Sequence, residues 1–133
     1  MKWFSLAAAV LFAGIAACDD DTTAPEDVAE FVIEVEGQEF RIRVSDVSTI
    51  ADLEGRLDSG EAGVILGELM EGDGGYNEPW SWHLDPATIE VADVAIEVCD
   101  GTPSMIEDDL EYWLETVGTY CPWGAEVISR NDD

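Results

Sequence analysis

Apolar and polar residues alternate with a period of two over Phe40-Arg41-Ile42-Arg43-Val44, the pattern of a strand with one buried face. Phe31-Val32-Ile33-Glu34-Val35 precedes it, and Glu36-Gly37-Gln38 between them predicts a hairpin turn, Gly37 supplying the permissive backbone. The period then lengthens. Val47, Ile50, Leu53 and Leu57 stand near helical spacing behind Ser45 or Asp46 as cap, and Asp58-Ser59-Gly60-Glu61 ends that helix. Val64-Ile65-Leu66-Gly67-Glu68-Leu69 is a short apolar run, read as a more central strand. Beyond a glycine-rich loop over residues 71–79, Trp80-Ser81-Trp82-His83-Leu84 alternates again, with Trp80, Trp82 and Leu84 on one face and Ser81 and His83 on the other.

After a turn at Asp85-Pro86, Ile89-Glu90-Val91 and Val94-Ala95-Ile96-Glu97-Val98 read as further strands. Ser104 and Glu107 fit a capping box ahead of a stripe of Ile106, Leu110, Trp113 and Val117, which Gly118 stops. Ala125-Glu126-Val127-Ile128 adds a last strand. The pattern predicts an α+β fold: a mostly antiparallel sheet of about five to six strands with about two helices.

The N-terminus has a different pattern. Met1-Lys2 opens an almost wholly apolar stretch that ends at Ile15-Ala16-Ala17-Cys18. It is shorter than the ~20 residues a spanning helix needs, and it has the order of a secretory signal. Its end resembles a bacterial lipobox. Residues 1–17 are therefore expected to be a lipoprotein signal peptide, with Cys18 the lipidated first residue of the exported form. Residues 18–29, acidic and broken by Pro25, read as a flexible tether. Residues 30–130 form a single domain, and 131–133 a polar tail. The expected location is extracytoplasmic, lipid-anchored to a bacterial membrane on its periplasmic side or at the cell surface.

Charge sharpens this picture. Cleavage before Cys18 removes Lys2 and turns the chain's net charge of −26 into −27, four arginines against 31 carboxylates. Such a surface excludes a phosphate-binding partner such as nucleic acid. It equally excludes an electrostatic grip on anionic lipid, so membrane attachment would come from acyl chains. Like-charge repulsion must also oppose folding where salt is scarce. Sodium chloride alone is expected to raise the thermal midpoint, and equal midpoints at low and molar salt would contradict this.

Lipidation of Cys18 leaves Cys99 and Cys121 as a pair, and export to an oxidising compartment favours a disulfide. An intervening helix of about 14 residues spans ~21 Å, and the flanking segments retrace ~23–25 Å when extended, so the bridge can close. A metal site is the rival reading, but two cysteines and the single His83 lack paired ligand spacing.

Three other groups of residues could carry chemistry. His83 lies beside Asp85, a pairing that suits general acid–base work in a small hydrolase, though no nucleophile elbow accompanies it. Glu71, Asp73, Asn77 and Glu78 offer hard oxygen ligands suited to calcium, in an order that is not an EF-hand. Tyr76, Trp80, Trp82 and Trp123 are either core or an aromatic platform for a sugar or peptide. Arg41 and Arg43 fall on one strand face, where they would neutralise carboxylates or, with Arg56, hold an anion.

Tyr76-Asn77-Glu78-Pro79-Trp80-Ser81-Trp82-His83-Leu84-Asp85-Pro86, with Ala95-Ile96-Glu97-Val98-Cys99-Asp100 and Tyr120-Cys121-Pro122-Trp123, resembles a small domain of slime-mould calmodulin-binding-type proteins that also occurs in bacterial secreted proteins. The resemblance covers residues 30–130. Its label implies calmodulin binding, but calmodulin grips basic amphipathic helices. Here the best helix carries Glu107, Asp108, Asp109, Glu111 and Glu115 and no Lys or Arg, which argues against calmodulin as a partner. The expected function is binding, with an envelope protein or a glycan as partner. A hydrolase using His83 and Asp85, or an envelope protein whose acidity is its function, stands as the alternative.

Overall fold

The computed structural model describes residues 28–131. Cys18, the signal at 1–17, most of the 18–29 tether, and tail residues 132 and 133 lie outside the described residues. Ala29, assigned above to the tether, is buried and opens the first strand.

Strands β1 (Ala29–Val35) and β2 (Gln38–Val44) form the expected antiparallel hairpin. Both turn residues, Glu36 and Gly37, have positive φ (50° and 84°), the combination a two-residue turn needs to match strand twist. Helix α1 (Val47–Ser59) starts where Asp46 accepts the Thr49 N–H at 2.9 Å and stops at left-handed Gly60. Hydrogen bonds from Ser48 and Thr49 hold the Asp46 carboxyl below its ordinary pKa. Of the predicted stripe, Leu53 is fully buried, Ile50 and Leu57 pack partly against the core, and Val47 faces solvent.

Strand β3 (Val64–Glu71) is the central strand of a second sheet. Its Leu69–Glu71 end pairs antiparallel with β4 (Trp82–Leu84), its Val64–Leu66 end with β5 (Glu90–Ala92), and Gly67 and Glu68 with β6 (Thr119–Tyr120). Between β4 and β5 a 3₁₀ turn, Pro86–Thr88, interrupts the ladder. Thr88 Oγ1 fills the gap by accepting the Glu68 N–H at 2.9 Å. Strand β7 (Glu126–Asn131) returns beside β1, giving the first sheet the order β2-β1-β7. The α+β class and antiparallel pairing are as the pattern predicts. The seven strands fall into two sheets because Ala125, bridged to Gly63, passes the chain from one to the other.

Two elements differ from expectation. The helix after Cys99 is capped at Thr102, not Ser104, and is broken: α2 (Pro103–Asp108) and α3 (Leu110–Tyr112) are separated by non-helical Asp109 (φ −138°, ψ 52°). A π-type turn, Trp113–Val117, closes at Gly118, whose N–H reaches the Trp113 carbonyl at 2.7 Å. Glu107 is not a box partner either; its carboxylate accepts the Ser81 N–H at 2.8 Å. The predicted strand 94–98 is absent. Its alternation is real, but only Ala95 packs inward, against the disulfide, and a 3₁₀ turn at Glu97–Cys99 ends the segment.

The main core lies between the sheets and under the helices. Phe31, Ile33, Phe40 and Ile42 of the first sheet meet Ile65, Trp82, Leu84 and Tyr120 of the second, with Leu53, Ile106 and Trp113 closing the sides. At its centre Phe40, Trp82 and Tyr120 contact one another with ring centroids 5.4–5.5 Å apart.

Candidate functional site

The residues that carry the family resemblance turn out to build the fold. Asn77 is completely buried. Its Oδ1 accepts the Arg41 N–H at 2.7 Å and its Nδ2 donates to the Trp82 carbonyl at 2.8 Å, which clasps the loop onto β2 and β4. Tyr76 donates its hydroxyl to the Leu84 carbonyl (3.0 Å) and lies under the Arg43 guanidinium, 4.6 Å from the ring centroid. Trp80, after the cis Glu78-Pro79 peptide, donates its indole N–H to the Glu39 carbonyl at 2.8 Å. Asn77→Ala is expected to cost about 2–4 kcal/mol, since it strands a buried N–H and a buried carbonyl. Denaturant unfolding of the variant checks this.

This geometry sorts the candidates. Trp82 is sealed in the core and cannot serve an aromatic platform. Trp80 is stacked on it at 6.1 Å, and Trp123 stands partly exposed on the segment after Cys121. In the calcium set, Asn77 is fully committed to backbone groups, and Asp73 Oδ1 accepts the Gly75 N–H at 2.8 Å. Among the described residues no three His, Cys, Asp or Glu side chains are placed to hold a metal ion. His83 Nδ1 donates to the Gly72 carbonyl at 2.7 Å, and its ring meets Tyr76 edge-on, which fixes the tautomer. Asp85 caps the 3₁₀ turn by accepting the Ala87 N–H at 3.1 Å. Each of the two has a local structural partner.

Burial raises the Tyr76 phenol to about 12 and pushes Tyr120, whose hydroxyl donates to the Gly101 carbonyl, up further. A phenol raised in the folded state stabilises below its ordinary pKa of 10, and that contribution is lost as pH climbs through the folded value. Stability is therefore expected to fall steeply above about pH 10. Phenolate absorbance that rises only with unfolding would confirm it; both tyrosines ionising in the native protein near pH 10 would contradict it.

The disulfide joins Cys99 to Cys121 with Cα atoms 5.1 Å apart. Around it the second and third motif segments meet: the Cys121 N–H bonds the Cys99 carbonyl (2.8 Å), and the Trp123 N–H bonds Asp100 Oδ1 (3.0 Å). In front of it runs an exposed apolar ridge. Val94, Ile96 and Val98 are 70%, 68% and 58% exposed, and Trp123 is 38% exposed. Sequence alternation found these residues but placed them in a sheet. Asp93, Glu97 and Asp100, all exposed, are interleaved with the ridge or border it.

A second concavity lies between α1 and β5. Arg56 lines it with Asp52, Glu61 and Asp93, and Ala51, Gly55 and Val91 supply its less polar wall. At the start of β1, Arg43 bonds Glu30 at 3.0 Å and Asn131 bonds the same carboxylate at 3.1 Å, so that arginine serves a carboxylate as expected.

These features define a small, acidic, disulfide-stapled α+β domain whose signature residues are structural. The family model of the calmodulin-binding-protein-type N-terminal domain, the BP-74 N-terminal domain, matches residues 26–132, and the chain belongs to that family. Neither the curated proteins nor the solved structures contain a match to it.

Proposed function

We propose that this protein is a lipid-anchored, extracytoplasmic interaction domain, held at a bacterial membrane through Cys18 and docking an envelope protein on its Val94–Ile96–Val98 ridge. The observation that carries the docking reading is three β-branched apolar side chains, each more than half exposed, within five residues. The acidic residues 93, 97 and 100 select the partner's chemistry: apolar side chains flanked by Lys or Arg, approached faster at low salt. A protein suits this face better than a glycan, because Trp82 is buried and Trp80 is tied to Glu39. The anchoring reading is supported by the apolar run ending at Cys18.

Two measurements test the two halves. Mass spectrometry of the native chain should find an N-terminal Cys18 carrying a diacylglyceryl group, and Cys18→Ser should release the protein from membranes. An unacylated chain that keeps residues 1–17 would refute anchoring. For docking, Ile96→Glu with Val98→Glu should leave the melting midpoint unchanged while abolishing crosslinks from a photoreactive residue at Val94 to an apolar-basic segment of one envelope protein. Identical crosslinks in wild type and variant would refute the ridge.

A further inference from the structure

Among the described residues, Arg56 is a cation whose surroundings the fold leaves incomplete. It stands in the last turn of α1 with its side chain only 17% exposed, yet the guanidinium donates no hydrogen bond. A guanidinium offers five N–H donors, and burying them unmatched is costly. Its nearest opposite charge, Asp93 Oδ1, is 3.8 Å away on a side chain 98% exposed to solvent. Arg43 and Arg130 are each held against a glutamate, Glu30 and Glu54. The group is also housed: a Cβ on Gly63 would fall on Arg56 Nη1, so glycine at 63 is what admits the guanidinium. The cleft opening on it measures about 410 Å³, within the size range of small-molecule sites.

The lining narrows the ligand class. A simple anion would meet Asp52, Glu61 and Asp93 beside the arginine, on a chain of net charge −26. A simple cation would meet the guanidinium. A molecule bearing both charges a few ångströms apart satisfies both. We infer that this cleft binds a small zwitterion of the α-amino-acid class. Its carboxylate takes the Arg56 fork, its ammonium lies among the three carboxylates, and its side chain lies against Ala51 and Val91. The inference rests on neither the lipid anchor nor the ridge.

The test titrates the full chain at fixed ionic strength with each common L-amino acid, with sodium acetate as an anion-only probe and methylammonium chloride as a cation-only probe. At least one amino acid should raise the melting midpoint saturably and shift the amide signals of Gly55 and Gly63. The two single-charge probes at equal concentration should not. Arg56→Gln should weaken that binding at least tenfold. Because Arg56→Gln also alters packing on Gly63, Asp93→Asn at its exposed position provides a second arm: weaker binding with an unchanged midpoint. No response to any amino acid, an equal response to acetate alone, or unchanged affinity in Asp93→Asn would each overturn the inference.

Discussion

Trp82→Ala is expected to destabilise the domain by about 3–5 kcal/mol, a large share of what a domain this size has in reserve. The indole is fully buried where both sheets meet and contacts Phe40, Tyr120 and Trp80 with centroids 5.5, 5.5 and 6.1 Å away. Removing it leaves a cavity walled by aromatic rings that cannot collapse without shifting β2 and β6. Trp82→Phe should cost much less. It keeps a ring in place and deletes an indole N–H that has no hydrogen-bond partner, a burial worth about 1–3 kcal/mol against the fold. Equal losses for the two substitutions, measured by denaturant unfolding, would show that ring packing is not what holds the sheets together.

Reduction of the disulfide is expected to remove about 3 kcal/mol, because the bridge closes a loop of sequence separation 22 and so restricts the unfolded chain. For a domain of roughly 100 residues this lowers the melting midpoint by about 10–20 °C. Calorimetry with and without a reductant measures it directly, and a Cys99→Ala, Cys121→Ala double variant should reproduce the reduced value. Hydrogen exchange adds a local signature. The ridge segment packs inward only through Ala95, so it should lose protection before β1 or β3 does. Coincident midpoints for oxidised and reduced protein would mean that the 103–117 segment holds the two cysteines together by itself.

How far the sequence could be read depended on whether the deciding interaction was local. The β1–β2 hairpin and α1 were legible because a period, a turn glycine and a cap all agreed within a few residues of one another. The 94–98 segment misled because alternation reports which side chains share a face, not whether a neighbouring strand exists to receive it. The break at Asp109 left no trace in the apolar stripe, since the π-type turn keeps Trp113 buried across the irregularity. Asn77 was the least legible of the site residues. In a polar, glycine-rich loop an amide that clasps Arg41 and Trp82 reads the same as one that waits for a metal. The Arg56 cleft also depended on distance: nothing about Gly63, seven positions on and in another element, announces that it makes room for a guanidinium.

That shared volume ties two positions to a single choice. A branch grown from the backbone at 63 and a long cationic arm from 56 compete for the same few cubic ångströms, so one chain cannot carry both without moving a helix off its strand. Across cousins of this domain the pair should therefore change together, alanine or larger at the first site keeping company with something shorter at the second. A lineage holding both unaltered would mark where the charged niche has been kept.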